Sequence, residues 1–87
     1  MTAEVEAIGR AISRLDQATV DEPPDYWQAL LDDLEPFVGV EMTNLGIASR
    51  YLVALRDRTG SADTPQGRAV YIEDASLFLW QAILFPH

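Results

Sequence analysis

The chain has 87 residues, with 14 acidic side chains against 6 basic ones, a formal net charge of −8 and no cysteine. That length allows one domain burying roughly 60–65% of its unfolded surface, and the missing cysteines exclude a disulfide framework or a thiolate zinc site. With no basic patch to release counterions and no glycine-rich phosphate loop, direct nucleic-acid binding is excluded too.

A first helix is predicted from about Ala3 to Ala18, where Val5, Ile8, Ile12 and Leu15 recur at three- and four-residue steps and Thr2 can cap the start. Pro23 and Pro24 forbid its continuation but suit the first turn of another helix. The second covers about Pro24 to Leu34, with Trp27, Leu30, Leu31 and Leu34 on one side and Asp25, Gln28 and Asp32 on the other. Pro36 ends it, because the residue before proline avoids the α region.

The third helix, about Glu41 to Arg58, is apolar around most of its cylinder. Only Thr43, Arg50 and Asp57 form a consistently polar strip, and Gly60 is placed to supply a left-handed residue after the helix ends. Thr64 and Pro65 then read as the N-cap and first residue of a fourth helix, about Pro65 to Leu84. Strand is discounted for its apolar end because period-two alternation is absent.

Within Ala75 to Phe85 only Ser76 and Gln81 are polar. As a helix this stretch spans about 16 Å, too short for a hydrocarbon core of roughly 30 Å. Three neighbouring helices cover only part of a cylinder that is apolar all round, so this helix either threads the centre or pairs its outer face with another chain. A homodimer is expected, through Leu77, Phe78, Trp80, Leu84 and Phe85.

Catalytic chemistry finds little support. The chain has no lysine, and its one histidine is the last residue, His87, so a Ser-His-Asp arrangement lacks a positioned base. Adjacent pairs such as Asp32-Asp33 and Glu73-Asp74 point about 100° apart on a helix. Asp21, Glu22 and Asp25 lack the glycine-punctuated spacing of a calcium loop. Glu6 and Arg10 suit an i,i+4 pair, and Arg50 is expected to snorkel or to pair with Asp57 or Asp74. The rival reading of Arg50 is an anion grip shared with Arg56 or Arg58. No enzyme activity, cofactor or metal is expected.

All six basic residues are arginines, and none falls between Leu15 and Ser49. That interval holds eight carboxylates: Asp16, Asp21, Glu22, Asp25, Asp32, Asp33, Glu35 and Glu41. The whole net charge is therefore one block, able to steer a basic partner and to repel nucleic acid or an anionic membrane. Asp21, Glu22, Asp25, Asp32, Asp33 and Glu35 are the expected partner-binding face, since closely spaced carboxylates on a rigid helical surface can imitate a phosphate backbone. The competing explanation is solubility alone.

Length, acidity and helix count are similar to the small immunity proteins that block nuclease toxins, with Thr64-Pro65-Gln66-Gly67 opening the last helix. Their short tyrosine-bearing third helix has no counterpart. Size and charge are also similar to acyl carrier proteins, whose Asp-Ser-Leu attachment site is missing from Asp74-Ala75-Ser76-Leu77. No family is assigned on these grounds.

The sequence thus reads as a compact all-α domain of four helices, a single helical domain over residues 1–87. An acidic N-terminus where a signal peptide would be basic makes a cytoplasmic protein the expectation. The expected function is non-enzymatic: a small acidic protein that inhibits or neutralises a nucleic-acid-processing protein with a basic surface, of the anti-CRISPR or toxin-immunity kind. The alternative is a structural or adaptor subunit that assembles through its apolar last helix.

Overall fold

The computed structural model describes residues 2–39 and 42–85. Among them are four α-helices, α1 Ala3–Gln17, α2 Pro24–Leu34, α3 Asn44–Asp57 and α4 Pro65–Leu84, and no strand. Three of the four start on a threonine whose Oγ1 takes an otherwise unpaired backbone N–H. Thr2 accepts from Val5 N at 3.2 Å, Thr43 from Gly46 N at 3.1 Å and Thr64 from Gly67 N at 3.1 Å. The fourth start, that of α2, relies on Pro24 at the first helical position, where the missing N–H costs nothing.

Two boundaries differ from expectation. The third helix begins at Asn44 rather than near Glu41, because Thr43 is the residue that caps it; Glu41 itself lies outside the described residues. The left-handed residue after that helix is Arg58, at φ 56° and ψ 44°, rather than Gly60. The Thr59 N–H turns back to the Ala54 carbonyl at 3.1 Å, a six-residue closure that requires a left-handed residue in between. Gly60 is also left-handed, φ 58°, but it opens a short 3-10 turn, Gly60–Asp63.

The helices close a ring. α1 packs on α2 and α4, and α3 packs on the same two, so α2 and α4 stand diagonally opposite. Contacts run in opposite numerical sense across neighbours. Arg10 meets Asp33 while Arg14 meets Tyr26, and Gln28 meets Arg56, as an up-down-up-down bundle requires. Ile8, Trp27, Leu30, Leu34, Leu52, Leu55 and Leu79 are the largest wholly buried side chains and form one core. The Trp27 Nε1 is buried with no acceptor among the described residues, a loss of about 1–3 kcal/mol set against the burial of a whole indole.

The connections are held by one buried guanidinium. Arg68, in the first turn of α4, is 4% exposed; it donates from Nε to the Val20 carbonyl at 2.6 Å and from Nη1 to the Ala62 carbonyl at 3.0 Å. Its Nη2 stands 3.8 Å from Asp21 Oδ1. Beside it, Gly67 passes so close to Ser61 that an added Cβ would collide with the Ser61 carbonyl. Arg68 thereby joins the α1–α2 turn to the turn before α4.

The fourth helix neither threads the centre nor is fully covered. Ala75, Leu79 and Ala82 face the core, while Val70, Leu77, Trp80 and Leu84 on the far side are at least half exposed. In a ring of four, each helix has two flanking neighbours, which cover its inner and lateral surfaces only.

Candidate protein-binding surfaces

Folding brings the arginines to the acid. Arg10 reaches from α1 to grip Asp33 with both ends of its guanidinium, Nε to Oδ2 at 3.0 Å and Nη2 to Oδ1 at 2.9 Å. Both prongs of the guanidinium are thereby taken by Asp33, and the expected i,i+4 partner Glu6 forms no ion pair with Arg10. Arg14 lies 5.5 Å from the centre of the Tyr26 ring, and the Tyr26 hydroxyl donates to the Arg14 carbonyl at 2.6 Å. Arg56 donates to Gln28 Oε1 at 2.9 Å, Arg58 contacts the Glu22 carbonyl at 3.5 Å, and Arg68 approaches Asp21. Five of the six arginines thus touch the interval between Val20 and Asp33.

The expected binding residues consequently divide. Asp33 is half-buried and paired, and its hydrogen bonds from Arg10 hold its carboxyl below the usual carboxylate range. Glu22 turns inward locally, its Oε2 accepting from the Thr19 N–H at 3.0 Å. Asp21 leans toward Arg68. Asp32 accepts from Gln28 Nε2 at 2.8 Å, a neutral donor that leaves its charge in place. Asp25 and Glu35 are exposed and have no side-chain partner among the described residues. Asp25, Asp32 and Glu35, at spacings of seven and three, therefore form one charged stripe along α2 and into the 3-10 turn Glu35–Phe37 that follows it.

That stripe borders a groove between α2 and α3 of about 350 Å³. Leu31, Val38 and Val53 supply its apolar lining, Asp32 and Glu35 the acid, and Arg56 lines it as well. Arg56 also holds Asp57, Nε to Oδ1 at 2.8 Å, which keeps that carboxyl below its ordinary range. The sequence showed each acid but not the groove, because Val38 and Val53 belong to no common helical pattern with Leu31.

Arg50 does not make the pairing expected with Asp57 or Asp74. Among the described residues it has no ion pair, since Asp57 is taken by its neighbour Arg56. It is exposed beside a second groove lined by Ile47, Tyr51, Ala54 and Tyr71. The aromatic side chains there are held by one another, Tyr51 edge-on to Tyr71 at 5.0 Å and stacked on Phe78 at 5.9 Å. Arg56 turns away to Gln28 of α2 and Arg58 to the Glu22 carbonyl in the α1–α2 turn, so the shared anion grip is not assembled.

The second surface is the outer side of α4. Leu77, Trp80 and Leu84 are 53%, 50% and 64% exposed, whereas Phe85, exposed just beyond the helix, lies beside Met42, Leu45 and Ala82 at the end of the bundle rather than on this face. Phe78, expected among them, is instead half-buried against α3, because its position is turned by one residue toward Tyr51. Val70, at 53%, extends the stripe in its place. Sequence reasoning missed Val70 because it precedes the continuous apolar run, although it lies seven residues before Leu77.

Among the described residues no group of three or more carboxylates or histidines is placed to hold a metal ion, and no helix is long and apolar enough to cross a membrane. No family model, curated protein or solved structure matches the chain.

Proposed function

We propose that the protein acts without catalysis by binding a basic protein surface in the groove between α2 and α3. The observation that carries this reading is the juxtaposition of the charges of Asp32 and Glu35 with the apolar side chains of Leu31, Val38 and Val53. An apolar floor supplies affinity and an acidic rim supplies steering and register. A basic amphipathic segment satisfies both, its apolar side chains in the groove and its cations along the stripe of Asp25, Asp32 and Glu35.

Nucleic-acid-processing proteins present extended basic surfaces of this kind, so inhibition or neutralisation of such a protein is the proposed role. Three acids over about 15 Å of helix are sparser than the phosphates of one strand, roughly one per 3.4 Å. The reading therefore rests on docking rather than on imitation of a phosphate backbone. The test is to recover the native partner and titrate it with wild type and with the Asp32→Lys, Glu35→Lys variant at low and moderate salt. Steep salt dependence in wild type and at least tenfold weaker binding by the variant are expected. Equal affinities at both salts would overturn the proposal.

A further inference from the structure

We propose that the outer face of α4 is a self-association surface on which a second copy of the chain lies antiparallel. Val70, Leu77 and Leu84 recur at seven-residue spacing and Trp80 stands three residues beyond Leu77, the a and d pattern of a helix-pairing seam. The seam runs along about 21 Å of helix. This proposal is independent of the α2–α3 groove, which lies across the ring.

The exposed fractions of these four residues leave on the order of 400 Å² of apolar surface along one face of α4. Two such patches facing each other bury roughly 800 Å², and with the flanking polar residues on the order of 1,000 Å², the low end of the range for specific association. The pairing is accordingly reversible. A side chain such as Leu77 gains nothing from solvent, and no neighbouring helix reaches it.

Charge selects the occupant and its direction. The seam contains one charged residue, Glu73, among four apolar ones, so it matches an apolar surface such as its own copy better than a strongly charged partner. The partly compensated acids sit on α2, diagonally opposite, so two chains meeting through α4 keep their most acidic edges apart. A parallel pair would set Glu73 against Glu73. An antiparallel pair crossing at Leu77 lays Val70 against Leu84 of the second copy and separates the two glutamates by about 12 Å along the axis. That distance exceeds the Debye length of about 8 Å at physiological ionic strength.

Sedimentation equilibrium over a dilution series tests the association directly. Wild type is expected to shift reversibly from 9.7 kDa toward twice that mass, and Leu77→Glu to weaken the dimer by about 100-fold while keeping its helicity and melting behaviour. Because the chain has no cysteine, single cysteines report direction. Leu77→Cys should oxidise readily to a covalent dimer, whereas Val70→Cys and Leu84→Cys should cross-link with each other and not with themselves. A wild-type monomer at several hundred micromolar overturns the proposal, as does a Leu77→Glu variant that still dimerises. Efficient self-cross-linking of all three cysteine variants overturns the antiparallel arrangement.

Discussion

The acidic edge of α2 and the outer face of α4 carry the two surpluses of this chain, one of charge and one of apolar surface, and folding compensates part of the first and none of the second. Arginine can cross from one helix to the next on a long flexible stem, so Arg10, Arg56 and Arg68 bring positive charge to an acidic stretch that has none of its own. Apolar surface has no such remedy. It is covered only by matter packed directly upon it, and the ring geometry leaves the far side of α4 in water. A charge imbalance in sequence is thus a weaker indicator of a binding site than an apolar imbalance, because side chains can redress it at a distance.

The largest expected effect asks whether α4 is a core element or an appendage with a sticky side. Truncation after Ala75 removes Leu79 and Ala82 from the core together with the exposed stripe. Loss of a buried leucine alone costs about 2–5 kcal/mol, and a domain this small holds on the order of 5 kcal/mol in all. Circular dichroism should show an unfolded chain. A cooperative melt in the truncated protein would reduce α4 beyond Ala75 to a docking arm and reverse the comparison.

The next effect concerns the buried arginine that ties the acidic turn to the start of α4. Arg68→Ala should cost about 3 kcal/mol in urea unfolding, since it leaves the Val20 and Ala62 carbonyls without their charged donor. Arg68→Lys should recover little, because an ammonium cannot span both acceptors in the plane the guanidinium uses. Full rescue by lysine would show that charge near Asp21, rather than the two carbonyl bonds, is what matters.

The smallest effect separates compensated from uncompensated acid on the same helix. Asp33→Asn should destabilise by about 0.5 kcal/mol, the scale of a solvent-exposed ion pair, while Asp25→Asn should be neutral within error. The sign with pH follows from the lowered Asp33 carboxyl. Its contribution is fully present above the ordinary carboxylate range and is lost as pH falls through the depressed folded-state value. The gap between wild type and Asp33→Asn should therefore close in acid, and a gap that widens there would contradict the Arg10 pairing.

Much of the architecture was legible because it rests on local signals. Thr2, Thr64 and Pro24 each mark a helix start by the hydrogen bond they make or spare, and Trp27, Leu30 and Leu34 mark the buried face of α2 by spacing alone. The start of α3 is not legible in the same way, because the seven-residue spacing of Thr43, Arg50 and Asp57 fits a polar strip within the helix as well as it fits a cap before it. Sequence points to Gly60 for the left-handed position because glycine carries no penalty there, whereas the closure from Thr59 to Ala54 puts Arg58 in that conformation regardless of residue type.

The sequence by itself determined the helices, their inward faces and the presence of more apolar surface on the last helix than three neighbours can cover, since all of these follow from periodicity within a single element. Only the tertiary structure decided which acids stay uncompensated, that Leu31, Val38 and Val53 meet in one groove, and that Phe78 turns inward while Val70 turns out. Those outcomes depend on which helices become neighbours and at what register, and side-chain reach between neighbours is a property of the packed ring rather than of any one stretch of chain.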